Sequence, residues 1–299
     1  TQPGVENIQT WTAPSDTADE NDELEGLLET VTQRTDIAEE DRLVIQAEAS
    51  GIYGHMVAID GSFDSLEDGF SASTLDSLVN NRTGEGVNLN VEANDASGNQ
   101  QATSLNLDGA SNQDIFVLAD NDAGQMYIVV DTSSSSAFDG SIDPDTQFSA
   151  ELEYETDSDD RFEFDDSSST TANPLPGVTG GAAGNADTAA FPYFLSGDDN
   201  SQTVTADFSI VERDASFDNM NTDSAVEVAN SETATVTGTT NVAPGSDASV
   251  RIRSDEDVSP SFVETSNVDI SEDGSFSAEF DLSGQAVDDT GTVSFRVGG

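Results

Sequence analysis

Apolar residues fall at every second position through much of this chain, in short stretches parted by polar intervals rich in Gly, Asn, Asp and Ser. Val87-Leu89-Val91, Met126-Ile128-Val130, Phe148-Ala150-Leu152-Tyr154 and Val204-Ala206-Phe208-Ile210 each turn one face to a core and the other to water. Leu105-Leu107 and Ile115-Val117 extend the series. After residue 225 the stretches crowd together: Val226-Val228, Ala234-Val236, Val250-Ile252, Val268-Ile270, Phe276-Ala278-Phe280-Leu282 and Val293-Phe295-Val297. Many short strands at close spacing predict antiparallel sheets closed into sandwiches or barrels. The longest apolar run, Arg42 to Asp60, holds the single histidine and reads as a buried core strand kinked near Gly51 and Gly54. Helical spacing occurs twice, with Leu24, Leu27, Leu28 and Val31 in Glu23–Thr35 and Leu75, Leu78 and Val79 in Ser73–Asn80.

The expected fold is mainly all-β: a β-sandwich N-terminal domain with one or two short helices, followed by an immunoglobulin-like β-sandwich. Its expected divisions are an N-terminal arm over residues 1–22, a β-rich domain over 23–220 and the second sandwich over 221–299, with Asp218–Asp223 as linker. The arm carries Val5, Ile8 and the only tryptophan, Trp11. Two roles suit it: docking on its own domain, or lending a strand to the open sheet edge of a neighbouring subunit. The Ser/Thr/Gly/Pro-rich stretch from Asp165 to Ala190 is long for a structureless loop, and Leu175 to Phe194 is a second candidate contact with a partner.

Charge changes the picture. Sixty acids oppose eight basic residues, a formal net charge of −52, and all eight are arginine. Repulsion on this scale opposes a compact state in dilute buffer, but at about 1 M salt the screening length falls to roughly 3 Å. The alternating stretches argue against disorder of the bulk, so the acidity points to molar salt. Cysteine is absent, and there is no run of about 20 apolar residues that would span a membrane. Nucleic acid is excluded as a partner, because phosphate contacts need basic patches.

Catalytic chemistry finds little support. His55 is the only base of its kind, lies in the apolar run and has no nucleophile elbow beside it. Adjacent acids such as Asp159-Asp160 arise from sheer acid density, so a carboxylate hydrolase is not favoured. Gly177 to Gly184 lacks the lysine of a phosphate loop. The sequence requires no cofactor. The one ion it suits is Ca²⁺, through two oxygen-rich loops bearing Asp120 and Asp122, and Asp139, Asp143 and Asp145, although neither has EF-hand spacing. Asn81-Arg82-Thr83 is an N-glycosylation sequon.

The ending, TATVTGTTNVAPGSDASVRIRSDEDVSPSFVETSNVDISEDGSFSAEFDLSGQAVDDTGTVSFRV, resembles the sandwich domains of haloarchaeal surface-layer glycoproteins in its G-T-T-N-hydrophobic-x-P stretch, D-G-S-F turn and final T-V-x-F-x-V strand. EDRLVIQAEASGIYG and FSIVERDASFD resemble the preceding domain of related haloarchaeal surface proteins, sometimes called the BGTF surface family. The resemblance implies an extracellular, non-enzymatic structural protein of a halophilic archaeon. Its partners would be further copies of itself or other cell-surface proteins, in a surface layer or filament. A calcium-assisted adhesin or carbohydrate-binding module is the alternative. The threonine-rich stalk and C-terminal anchor of such proteins are not seen, which suggests an unanchored member or a truncated chain.

Overall fold

The computed structural model describes residues 4–15, 24–79, 87–94, 101–154, 201–222 and 225–298. Strand β1 (Gly4–Ala13) leads to helix α1 (Leu24–Thr30), the short strands β2 (Thr32–Gln33) and β3 (Asp36–Ala38), and then β4 (Arg42–Ser50), where the long apolar run begins. That run does not continue as a strand. Gly51 turns the chain at a φ of 81°, a conformation that a side chain resists, and helix α2 (Tyr53–Asp60) takes over. Ile52, Tyr53, Met56 and Val57 are buried, which is one face of a helix rather than a kinked strand. His55, on the same helix, is half-buried rather than part of the core. Helices α3 (Ser65–Asp68) and α4 (Ala72–Val79) flank β5 (Phe70–Ser71). The second expected helix is α4, with Leu75 and Leu78 buried. The first expected helix is shorter than its apolar spacing suggested, because Thr32 and Gln33 pair with β1 instead.

Strands β6 (Val87–Ala93), β7 (Ile115–Asp120), β8 (Gln125–Asp131), β9 (Thr146–Tyr154) and β10 (Gln202–Val211) complete the first unit. One sheet runs β2-β1-β4-β8-β7-β5 and the other β3-β10-β9-β6. Neighbours are antiparallel except β3 with β10. Ile45, Val117 and Ile128 of the first sheet share a core with Leu89, Phe148, Ala150 and Phe208 of the second, and Phe148 stacks on Phe208 at 5.2 Å. The outer face of the first sheet is covered as well: Val44, Leu118, Tyr127 and Val129 pack with Leu27 of α1. Being buried on both faces, β4 runs apolar through Leu43, Val44 and Ile45 without alternating. Leu105 and Leu107 are buried, but Leu105 makes an isolated bridge to Phe138 in place of the expected strand.

The expected arm is a strand of its own domain. β1 pairs with β4 from Gly4 to Ala13, with a bulge between Val5 and Asn7. Val5 and Ile8 are each 5% exposed, and the Trp11 indole N–H donates to Gln46 Oε1 at 2.9 Å. Of the two roles open to the arm, docking on its own domain is the one observed: Val5, Ile8 and Trp11, also considered as contacts to a neighbouring subunit, pack on cores of this sandwich, because the strand's apolar side is needed to close it.

The second unit contains β11 (Ala215–Phe217), β12 (Ala234–Thr240), β13 (Ala248–Ser254), β14 (Val263–Val268), β15 (Ser275–Phe280) and β16 (Gly291–Val297). Its sheets, β11-β12-β15 and β14-β13-β16, face each other across Val236, Val250, Ile252, Phe276, Ala278 and Phe280. This is the expected immunoglobulin-like sandwich, all antiparallel. Strand pairing passes from one unit to the other between Val211 and Ala215, earlier than the 220/221 division read from sequence, since Ala215 and Phe217 pack on the second core. The expected strand at Val226–Val228 is reduced to a bridge between Val226 and Met220.

Candidate functional site

Two arginines, Arg34 and Arg213, lie where the two units meet. The turn after β3 places Glu40 at a φ of 67° and drives the next residue, Asp41, fully out of solvent. Asp41 Oδ1 accepts from Arg213 Nη2 at 2.9 Å, and its Oδ2 accepts from the Ala243 backbone N–H of the second unit at 2.7 Å. Arg213 also donates to Glu40 Oε2 at 2.7 Å, so one guanidinium holds both carboxylates in the forked geometry at which arginine excels. Burial pushes the Asp41 carboxyl up to about 6, while the Ala243 N–H and the Arg213 and Arg34 charges pull the other way.

Arg34 works from the other side of the joint. Its Nη1 donates to the carbonyls of Asn241 at 2.8 Å and Val242 at 3.3 Å, and its Nη2 to that of Glu272 at 3.2 Å. Asn241 ties the crossing segment down, donating from Nδ2 to the Glu212 carbonyl at 2.7 Å and accepting the Asp214 N–H at 2.9 Å. Within the first sandwich Arg42 pairs with Asp131 across β4 and β8. Burial raises the Asp131 carboxyl, but the bonds from Arg42 and Ser133 outweigh it and hold the group below the usual carboxylate range. Composition alone gave no signal for this joint, since Asp41 is one of sixty acids.

Of the acids singled out as cation ligands, Asp120 and Asp139 have carboxylates engaged by hydrogen bonds within the fold. Asp120 ends β7 and its Oδ1 accepts the N–H groups of Asp122 and Ala123, closing the hairpin to β8. Asp139 accepts from the backbone N–H and hydroxyl of Ser104 at 2.7 and 2.9 Å. Asp143 acts through its carbonyl, which takes the Thr146 hydroxyl at 2.5 Å, and Asp145 occupies a turn position with φ of 65°. Among the described residues no three Asp, Glu, His or Cys side chains are grouped to hold a metal ion. The sequon at Asn81 and the stretch from Leu175 to Phe194 lie outside the described residues. No described helix is long and apolar enough to cross a membrane.

Two sheet faces point to solvent with opposite character. On the β14-β13-β16 sheet, Val250 and Ile252 point inward, so Arg251 and Arg253 point out, and Arg296 of β16 lies opposite Ser249 on the same face. The other outward positions are Thr265, Asn267 and Val263 of β14 and Thr292 and Ser294 of β16. Among the described residues, the paired strand positions of this face carry no acid. Glu264, the one acid of these strands, is in the opposite phase beside Ile252. The outer face of the first unit's β6-β9-β10 sheet is the reverse: Glu92 of β6, Glu151 and Glu153 of β9 and Asp207 of β10 point out, with Asn, Ser and Thr between them and no arginine in these three strands.

Comparison with known proteins follows this architecture. The chain is 28% identical over 300 residues to a cell surface glycoprotein of Haloferax gibbonsii, covering 98% of the chain and 28% of that protein. Against cell surface glycoproteins 1 and 2 of Haloarcula hispanica the identities are 30% over 290 residues and 28% over 291, each covering 93% of the chain and 27% of the relative. The chain thus spans little more than a quarter of the relatives' length. No family model matches it. Among solved structures, a marsupial T cell receptor aligns with 98% of this chain and 67% of its own at 6% identity and a TM-score of 0.23, too low to carry an argument. Over almost its whole length, the chain is similar to the haloarchaeal cell surface glycoproteins.

Proposed function

We propose that this chain is a non-enzymatic, self-assembling segment of a haloarchaeal surface layer or extracellular filament. Its place at the cell surface follows from its relatives; assembly is the further step. The observation that carries the reading is the joint. Asp41, Arg213 and Arg34 bind the two sandwiches through a buried carboxylate and guanidinium bonds to backbone carbonyls, which suits a part that must hold its shape under load. A binding loop needs no such clasp. Breaking a buried charge pair costs about 3–5 kcal/mol, so the angle between the units resists thermal bending. The bonds also leave the outer sheet faces as the surfaces through which copies would meet, in head-to-tail contacts that repeat into a fibre or sheet.

Electron microscopy of the purified chain in about 3 M salt, far beyond the concentration at which screening shortens to a few ångströms, tests the reading with and without millimolar Ca²⁺. Regular filaments or sheets are expected. Dispersed particles in both conditions overturn self-assembly and leave the adhesin or carbohydrate-binding reading, to be pursued by glycan screening. Assembly that appears with Ca²⁺ alone would assign the cation a structural role.

A further inference from the structure

We infer that the arginine face of the second sandwich, built on Arg251, Arg253 and Arg296, is an assembly surface that receives the acidic β6-β9-β10 face of another copy of this chain. The inference rests on the self-assembly reading and names the surfaces that would carry it. Acids make up sixty of 299 residues and arginines eight, yet the paired strand positions of one solvent-facing sheet surface gather three of the arginines and no acid. Arg34, Arg42 and Arg213 each bond to a carboxylate or carbonyl of their own chain. Arg251, Arg253 and Arg296 make no ion pair with a described residue, and the Nε of Arg251 is buried without a hydrogen-bond partner. A cation in so acidic a chain that finds no carboxylate at home is placed to meet one elsewhere.

Register supports the match. In the arginine face, three cross-strand rows run Asn267-Ser249-Arg296, Thr265-Arg251-Ser294 and Val263-Arg253-Thr292. In the acidic face, they run Glu92-Ser149-Asp207, Asn90-Glu151-Thr205 and Asn88-Glu153-Thr203. Both put charge on the central strand in two successive rows and beside a central serine in the next, on one flank in the arginine face (Arg296) and on both flanks in the acidic face (Glu92 and Asp207). Strands lie about 4.8 Å apart and same-face residues about 6.8 Å apart in any sheet, so the two charge patterns superpose when the faces meet. Molar salt makes this selective: with a screening length of roughly 3 Å at 1 M, only pairs in direct contact are felt, and arginine's forked bonds to carboxylates are contacts of that kind. Asp247 and Asp255, in the same phase just beyond the two ends of β13, border the face.

Each copy has one face of each kind, so the contact is heterologous and repeats. Two variants test it: R251T/R253T/R296T, in which threonine keeps strand propensity, and E92Q/E151Q/D207N. Each alone is expected to sediment as a monomer in 3 M salt, with a thermal transition like that of the wild type. Mixed in equal amounts, they still hold one good face each and should form a 1:1 dimer that grows no further. A wild type that assembles together with an arginine variant that also assembles would overturn this inference and leave the self-assembly reading intact. Monomers in the mixture would overturn the pairing of these two faces. A wild type that never assembles would overturn both the reading and the contact. If the triple variant misfolds because Arg251 is half-buried, R253T/R296T, which alters only exposed side chains, replaces it with the same expected outcomes.

Discussion

Arginine is used in two opposite ways in two regions of this molecule. At the joint, Arg213 and Arg34 are surrounded by acceptors, and the carboxylate they guard is out of solvent. On the β14-β13-β16 sheet, Arg251, Arg253 and Arg296 stand on a face whose paired strand positions hold no acid. A chain with no lysine reserves its few cations for places where a planar, forked donor has a fixed geometry to satisfy. At the joint those acceptors belong to the same chain, and on the sheet they do not. The first set should therefore govern folding and the second should be silent in folding.

The largest effect expected from this contrast is at Arg213. Arg213→Ala leaves Asp41 buried with only the Ala243 N–H, and loss of one partner of a buried pair costs about 3–5 kcal/mol. Thermal unfolding in molar salt at neutral pH reads this directly. A loss below about 1 kcal/mol, the size of an exposed pair, would show that the joint is a surface contact and would break the contrast.

Much of the sheet architecture was legible in the sequence because an alternating strand records its own burial: Val87-Leu89-Val91 and Phe276-Ala278-Phe280 became β6 and β15 as their period requires. What failed, failed where the period is ambiguous. Ile52 to Val57 follows a true strand without a polar break, and only Gly51 at a left-handed φ separates them. For Val5, Ile8 and Trp11 two roles stayed open, because they sit in a polar, proline-flanked stretch whose pairing with β4 depends on residues more than thirty positions away. The joint was invisible for the same reason, since Asp41 looks like any other of sixty acids until Ala243 and Arg213 are brought to it. The three arginines are spread over residues 251–296, and only register puts them on one face.

A pH titration sharpens the contrast with a smaller effect. Burial raises the folded-state value of Asp41 to about 6 from an ordinary 3.8. A carboxyl raised on folding contributes stability that is complete below its unfolded value and is lost as pH rises through its folded one. The wild type's stability relative to D41N should accordingly be greatest near pH 4 and decline until pH passes about 6, by at most about 3 kcal/mol at 1.36 kcal/mol per unit. The comparison with D41N matters because the other acids also titrate near pH 4 and their contributions cancel in the difference. A difference that stays flat from pH 4 to 7 would mean that Asp41 is held ionised by Arg213 across the range, and that the charge pair outweighs the burial.

The smallest effect is the most discriminating. Arg253 is exposed, extends from a strand whose inward neighbour Ile252 carries the packing, and has no carboxylate partner among the described residues. Arg253→Thr should change stability by no more than about 0.5 kcal/mol, as surface substitutions away from special features do, and β-branched threonine suits the strand. Measured beside Arg213→Ala in the same salt, it separates two kinds of cation in one chain: one whose removal unfolds and one whose removal leaves the monomer as it was. A loss of 2 kcal/mol or more at Arg253, well outside that surface range, would mean that its stem or charge serves the second sandwich itself. The arginine face would then be a feature of folding, and the acidic sheet of another copy would no longer be needed to explain why these cations stand alone.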